Sequence, residues 1–180
     1  MSDMFEDRTL LLSGELGTDA SNDVIAQLML LESMDPDQGI RLYLDCPTGS
    51  LPAAFAVCDA IECLQPPVST WAIGGVGSVA ALVLCSGTIG HRYALPGSNI
   101  VLRQPGLGEG LMDETPMPTP AAYNGWIADM IRLLAERTGK PSDTIATDLR
   151  NSHYLSASGS VAYGIVDRVM PGGRHLPQAN

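Results

Sequence analysis

The chain is poor in positive charge, and poorer still in groups that could take a proton near neutral pH. Ten Lys and Arg residues stand against twenty Asp and Glu, a formal charge of −10 over 180 residues, and no basic cluster interrupts that balance. Nucleic acid and anionic membrane surfaces are thereby disfavoured as partners, which leaves proteins, peptides and small molecules. There is one lysine, Lys140, and there are three histidines, His91, His153 and His175. The four cysteines, Cys46, Cys58, Cys63 and Cys85, form no CxxC pair and have no histidine at ligand spacing. That pattern argues against zinc and against disulfides, so buried free thiols and no metal or cofactor are expected. Met1 is followed by SDMFEDR, which lacks the basic and apolar regions of a secretory signal, and a cytoplasmic protein is expected.

Only one apolar run, WAIGGVGSVAALVLCSGTIG at 71–90, approaches the roughly 20 residues of a bilayer span. Its five glycines, three hydroxyl residues and lack of basic flanks speak against that use. A division into a short strand VSTWAI, a tight turn GGVG and an apolar helix SVAALVLCSG ending at Gly87 fits better. Ser78 then sits where a strand turns into a helix.

The remaining chain alternates strand and helix patterns. RTLLLSGEL (8–16) and GIRLYLDCP (39–47) read as strands, while NDVIAQLMLLESMD (22–35) and SLPAAFAVCDAIECL (50–64) read as helices. HRYALPGSNIVLRQPG (91–106) holds two short strands around Pro96 and Gly97. Pro116, Pro118 and Pro120 forbid a helix until Pro120, which suits a first helical position, and AAYNGWIADMIRLLAERTG is then an amphipathic helix stopped by Gly139. SDTIATDLRN with Ser142 as N-cap and SASGSVAYG read as short helices, and IVDRVM as a last strand. With 45% hydrophobic residues, the chain suits one α/β domain with a mostly parallel sheet. That domain is expected over residues 1–172, with 173–180 a disordered tail.

Two features could build an acyl-transfer site. The DCPTGS loop offers a backbone N–H at Gly49 and the turn before the Ser78 helix offers that of Val79, together an oxyanion hole. A serine nucleophile also needs a neighbouring base. His175 lies in the tail, His91 and Lys140 read as solvated turn residues, and His153 is the one candidate that survives.

The chain resembles the ClpP family, the proteolytic subunits of the Clp protease, from DRTLLLSGEL through GIVDRVM. LYLDCPTGS is similar to the family's strand and Ser-Pro-Gly-Gly-Ser loop, and AIGGVGSVAA to its nucleophile turn, with Ser78 at the nucleophile's place. RYALPGSNIVLRQP resembles the strand pair that ends in Met-Ile-His-Gln-Pro, and LLAERTGKP the end of the long handle helix. The resemblance implies a ClpP/crotonase-like fold of repeated β-β-α units, a mostly parallel sheet, a protruding handle helix and sevenfold rings. It also implies an axial segment and a first helix ahead of the first strand, for which residues 1–8 leave little room. The apolar VAALVLC helix is expected to keep faces for ring packing.

The departures fall on the triad. The residue before Gln104 and Pro105, where the family has its histidine, is Arg103, and Ser152 stands in the place of the family's aspartate. Arginine stays protonated at physiological pH and cannot act as the base. Loss of a serine peptidase's base costs on the order of a millionfold in turnover. In the family's positions for contacts between rings stand Gln104, Arg150 and Asn151, and the prolines replace the first turns of the handle, so that assembly is expected to be altered.

Three readings follow. The first is a non-catalytic ClpP-like subunit in a homo-oligomer, or in a hetero-oligomer with an active ClpP paralogue, with a Clp ATPase as a further partner. The second is an active serine endopeptidase pairing Ser78 with His153. The third, a crotonase-like acyl-CoA-binding enzyme, is disfavoured because no glutamate stands at the helix start by Ser78. In the first, a degraded site could still bind extended peptide along the GLGEGL strand by backbone pairing.

Overall fold

The computed structural model describes residues 2–109 and 117–171. A short helix α1 (Ser2–Glu6), which the sequence pattern had not suggested, leads into β1 (Thr9–Leu16), α2 (Thr18–Met34), β2 (Ile40–Gly49) and α3 (Leu51–Cys63). The chain continues through β3 (Val68–Ala72), β4 (Gly75–Val76), α4 (Ser78–Cys85), β5 (Arg92–Ala94) and β6 (Asn99–Leu102). It ends with α5 (Pro120–Thr138), α6 (Ser142–Asn151), β7 (His153–Ser156), α7 (Ala157–Tyr163) and β8 (Arg168–Val169). The expected tail at 173–180, together with Pro116, lies outside the described residues.

Five strands form a sheet in the order β1-β2-β3-β5-β8, every pair parallel. A second sheet, β4-β6-β7, joins a parallel to an antiparallel pair. The period of two in β1 and β2 turns Leu10, Leu12, Leu42 and Leu44 into the core. The opposite face carries one registered row, Leu11, Tyr43, Trp71, Tyr93 and Arg168, in which the Trp71 ring lies 5.4 Å from Tyr43 and 4.3 Å from Tyr93.

Helix α4 is apolar all round because it is covered all round: each of its eight residues is buried, against β2, β3, β6, α3 and α5. That corrects the expectation of a ring-packing face on this helix. Apolar side chains left to solvent include Leu11 on β1 and Met29, Leu30 and Met34 on α2. The last carbonyls of α4 are satisfied from nearby hydroxyls: Thr70 donates to Leu84 O at 2.6 Å and Ser86 to Leu82 O at 2.9 Å.

Helix ends follow local chemistry. Thr119 caps α5 through Ala122 N, Pro120 opens it, and Gly139 closes it at φ 73°. At α6 the N-cap is Pro141, with Ser142 already the first helical residue, one position earlier than expected. Ser156 caps α7, while HYLS before it is the antiparallel partner of β6 rather than part of a helix or loop. The C-terminal carbonyls of α2 have an unusual partner. The buried Arg8 guanidinium donates to Leu31 O, Asp35 O and Gln38 O at 2.8–2.9 Å.

Arg92 and Asp167 tie β5 to the start of β8 through a forked pair at 2.6 and 3.0 Å. Burial alone would raise the Asp167 carboxyl, but hydrogen bonds and charge from Arg92 outweigh it and hold the carboxyl below its ordinary value. This contribution to stability is fully present above the unfolded pKa near 3.8 and is lost as the pH falls through the lower folded value. Arg92→Met is expected to cost about 2–3 kcal/mol at pH 7 in urea unfolding, with the difference from the parent narrowing only below the unfolded pKa near 3.8.

Three of the four thiols are buried as expected, while Cys63 is exposed at the end of α3. Burial raises Cys46 and Cys58 to about 11 and raises Cys85 as well. A disulfide reagent at pH 8 should therefore titrate one thiol in the folded protein and four after denaturation.

Candidate active site

The residues around Ser78 are set by a close crossing of two chain segments. Gly14, at φ 82°, lies within a register shift between β1 and β2, so Ser13 pairs with Asp45 but Glu15 with Thr48. The bulge lets Asp45, Cys46 and Pro47 reach the turn before α4. Asp45 Oδ1 accepts from Gly75 N at 2.8 Å, and Cys46 O accepts from Gly77 N at 2.8 Å. A Cβ on Gly77 would stand 2.1 Å from Pro47 O, so no other residue fits there without displacing the backbone. No side chain caps α4, and its first turn faces a small cavity lined by Pro47, Thr48, Ser78, Val79, Arg103, Pro105 and Glu109.

Of the two expected oxyanion donors, Val79 borders this cavity. Gly49 lies one residue beyond the lining residue Thr48, paired with Leu16, and a Cβ there would come 2.7 Å from Leu16.

The Ser78 hydroxyl is buried and turned onto the edge of β6. Its Oγ accepts from Arg103 N at 2.5 Å and lies near two carbonyl acceptors, Arg103 O and, at 3.1 Å, Val101 O. A hydroxyl has one proton, so one carbonyl takes it at a time. A carbonyl oxygen cannot act as a general base, and all the Oγ hydrogen bonds among the described residues are to main chain.

Arg103 meets Ser78 through its backbone, while its side chain turns elsewhere. The guanidinium forms a fork with Glu109, Nη2 to Oε1 at 2.6 Å and Nη1 to Oε2 at 3.1 Å. Glu109 Oε2 also accepts from Gly106 N at 2.7 Å, and Glu109 N donates to Gly106 O. Residues 107–109 therefore form a turn, with Gly108 at φ 78°, rather than the extended strand expected of GLGEGL; residues 110 and 111 lie outside the described residues. Glu109 was not among the expected site residues. Its only signal in the sequence is an acid in a glycine-rich segment six residues after an arginine.

His153 is on β7, opposite Leu102, with β6 between it and the edge that Ser78 occupies. Two strand spacings amount to about 9–10 Å, beyond a direct hydrogen bond. The imidazole instead lies beside the Tyr163 ring, tilted by 37° with centroids 5.6 Å apart, and its Nδ1 lies 3.9 Å from Asp148 Oδ1. Asp148 is the carboxylate that no sequence pattern identified; its other oxygen accepts from Tyr163 Oη at 2.6 Å. Burial, then the Asp148 bond, raise the Tyr163 hydroxyl above its ordinary value.

Ser152 closes α6 in the left-handed region, φ 57°. Gln104 donates to Tyr123 Oη at 3.0 Å and is thereby held beside α5. Arg150 donates within its own helix to Ala146 O, and both it and Asn151 are exposed.

A buried serine at a strand-to-helix turn over a mostly parallel sheet, beside a helix start with free N–H groups, is the framework of a ClpP-like peptidase subunit. Residues 1–172 match the family model described as Clp protease, and the chain belongs to that family. No helix among the described residues is long and apolar enough to cross a membrane.

The crossing at Gly77 gives a direct test of this construction. Gly77→Ala should cost about 1–3 kcal/mol in urea unfolding because backbone must move to admit the methyl group. Gly75→Ala, where a Cβ meets nothing within 4 Å, should stay within about 0.5 kcal/mol of the parent.

Proposed function

We propose that this protein is a non-catalytic ClpP-like subunit that forms or joins a sevenfold ring in the cytoplasm and modulates an active paralogue, with a Clp ATPase as a further partner of the assembly. Its functional unit is a single domain over residues 1–172. The observation that carries the reading is the engagement of Ser78. Its proton is directed at main-chain carbonyls and its lone pair is used by Arg103 N, while the side chain at the expected base position is a cation already paired with Glu109. Ser152 offers no charge to orient a base. The solvated apolar side chains Leu11, Met29, Leu30 and Met34 supply surface suited to burial against a neighbouring subunit.

The alternative, an endopeptidase with His153 as base, gains one element from the fold, a carboxylate oxygen of Asp148 3.9 Å from the imidazole Nδ1. It would still require His153 to cross β6 to reach Ser78, and the non-catalytic reading is preferred on that ground.

Intact mass after incubation with a fluorophosphonate probe separates the two. The expected result is no added mass on the parent protein or on Ser78→Ala. Labelling of the parent that disappears in Ser78→Ala would overturn the proposal, because a covalent adduct requires an activated hydroxyl.

A further inference from the structure

We infer that Arg103 is a receptor for the C-terminal carboxylate of a peptide, and that Glu109 occupies it as an internal competitor. The inference rests on the reading of this subunit as one that does not turn peptides over. An arginine in place of a base destroys one chemistry and creates another: a planar fork of donors that matches a carboxylate in two bonds. Glu109 makes that two-bond contact here, so the geometry of carboxylate recognition is built at this position.

The surroundings favour a peptide end over a free ion. Glu109 belongs to the lining of two cavities. One holds Ser78, Val79 and Arg103, the other Leu51, Pro52, Tyr123 and Trp126, and Pro105 also borders both. Neither has room for more than about one water. With Glu109 withdrawn, the two spaces join into a groove with a cation at one end and apolar side chains along the other. A terminal carboxylate preceded by an apolar side chain satisfies both ends.

The Glu109 carboxylate is held by the fork and by one backbone donor, Gly106 N, and the Glu109 N–H donates to Gly106 O within the same turn. The Arg103 side chain is 41% exposed, so the ion pair is open to competition by solvent and by a second carboxylate. Each ligand carboxylate that binds must displace one already present, so the parent protein should bind weakly and loss of Glu109 should strengthen binding.

The test measures fluorescence anisotropy of a fluorescein-labelled Ala-Ala-Leu-Leu peptide with a free C-terminus, its C-terminal amide, and an amide carrying one internal glutamate. Titrations use the parent, Glu109→Ala, Glu109→Gln and Arg103→Ala, with each variant first shown by circular dichroism and thermal unfolding to be folded. The expected result is that Glu109→Ala and Glu109→Gln bind the free-acid peptide at least tenfold more tightly than the parent. Amidation, or addition of Arg103→Ala to Glu109→Ala, should remove that gain. Equal binding of acid and amide, no gain in either Glu109 variant, or binding of the internal-glutamate amide as strong as that of the free acid would each overturn the inference. Fluorophosphonate labelling of Ser78 would refute the proposed function without altering this readout, and failure of carboxylate binding would leave an absence of labelling intact.

Discussion

The Ser78 hydroxyl fastens the first turn of α4 to the open edge of β6, and the local architecture depends on that fastening. β4 is only two residues long, so beyond Val76 the β6 edge has no strand to pair with. Ser78 Oγ supplies what a longer β4 would have supplied, an acceptor for Arg103 N–H and a donor to a β6 carbonyl. A buried backbone donor left without a partner costs about 1–3 kcal/mol, so the hydroxyl has a structural task independent of catalysis. Gly77 and Pro47 fix where it stands, since their approach allows no side chain at 77.

Arg103 gives the site its chemical character. Its backbone completes the Ser78 contact, and its side chain turns the turn at 106–109 back on itself through Glu109. The guanidinium thus supplies a fixed positive charge and holds a carboxylate beside Ser78. The Arg103–Glu109 fork accounts for the folded state of a segment expected to be extended.

Most of the fold could be read from periodicity. β1, β2, α3, α4 and α5 carry strong patterns of two or 3.6 residues with clear stops, and their observed bounds differ from the expected ones by one or two residues. The elements that escaped notice are short or depend on distant partners. β7 is four residues whose strand state comes from pairing with β6, more than fifty positions earlier, and α1 is a helix of five residues. The site was legible in part: Ser78 and Arg103 are adjacent, as family resemblance implied. Which atoms of Arg103 face Ser78 was not legible, because backbone contacts leave no mark on residue type. Nor were Glu109 and Asp148, whose contacts arise from a turn and from a bond to the distant Tyr163.

The most direct measurement of this account is the unfolding free energy of Ser78→Ala in urea. A hydroxyl that closes a strand edge predicts a loss of about 1–3 kcal/mol, because the part-buried Arg103 N–H loses its acceptor. A nucleophile held ready for reaction carries strain that its removal relieves, so unchanged or increased stability in Ser78→Ala would contradict the account.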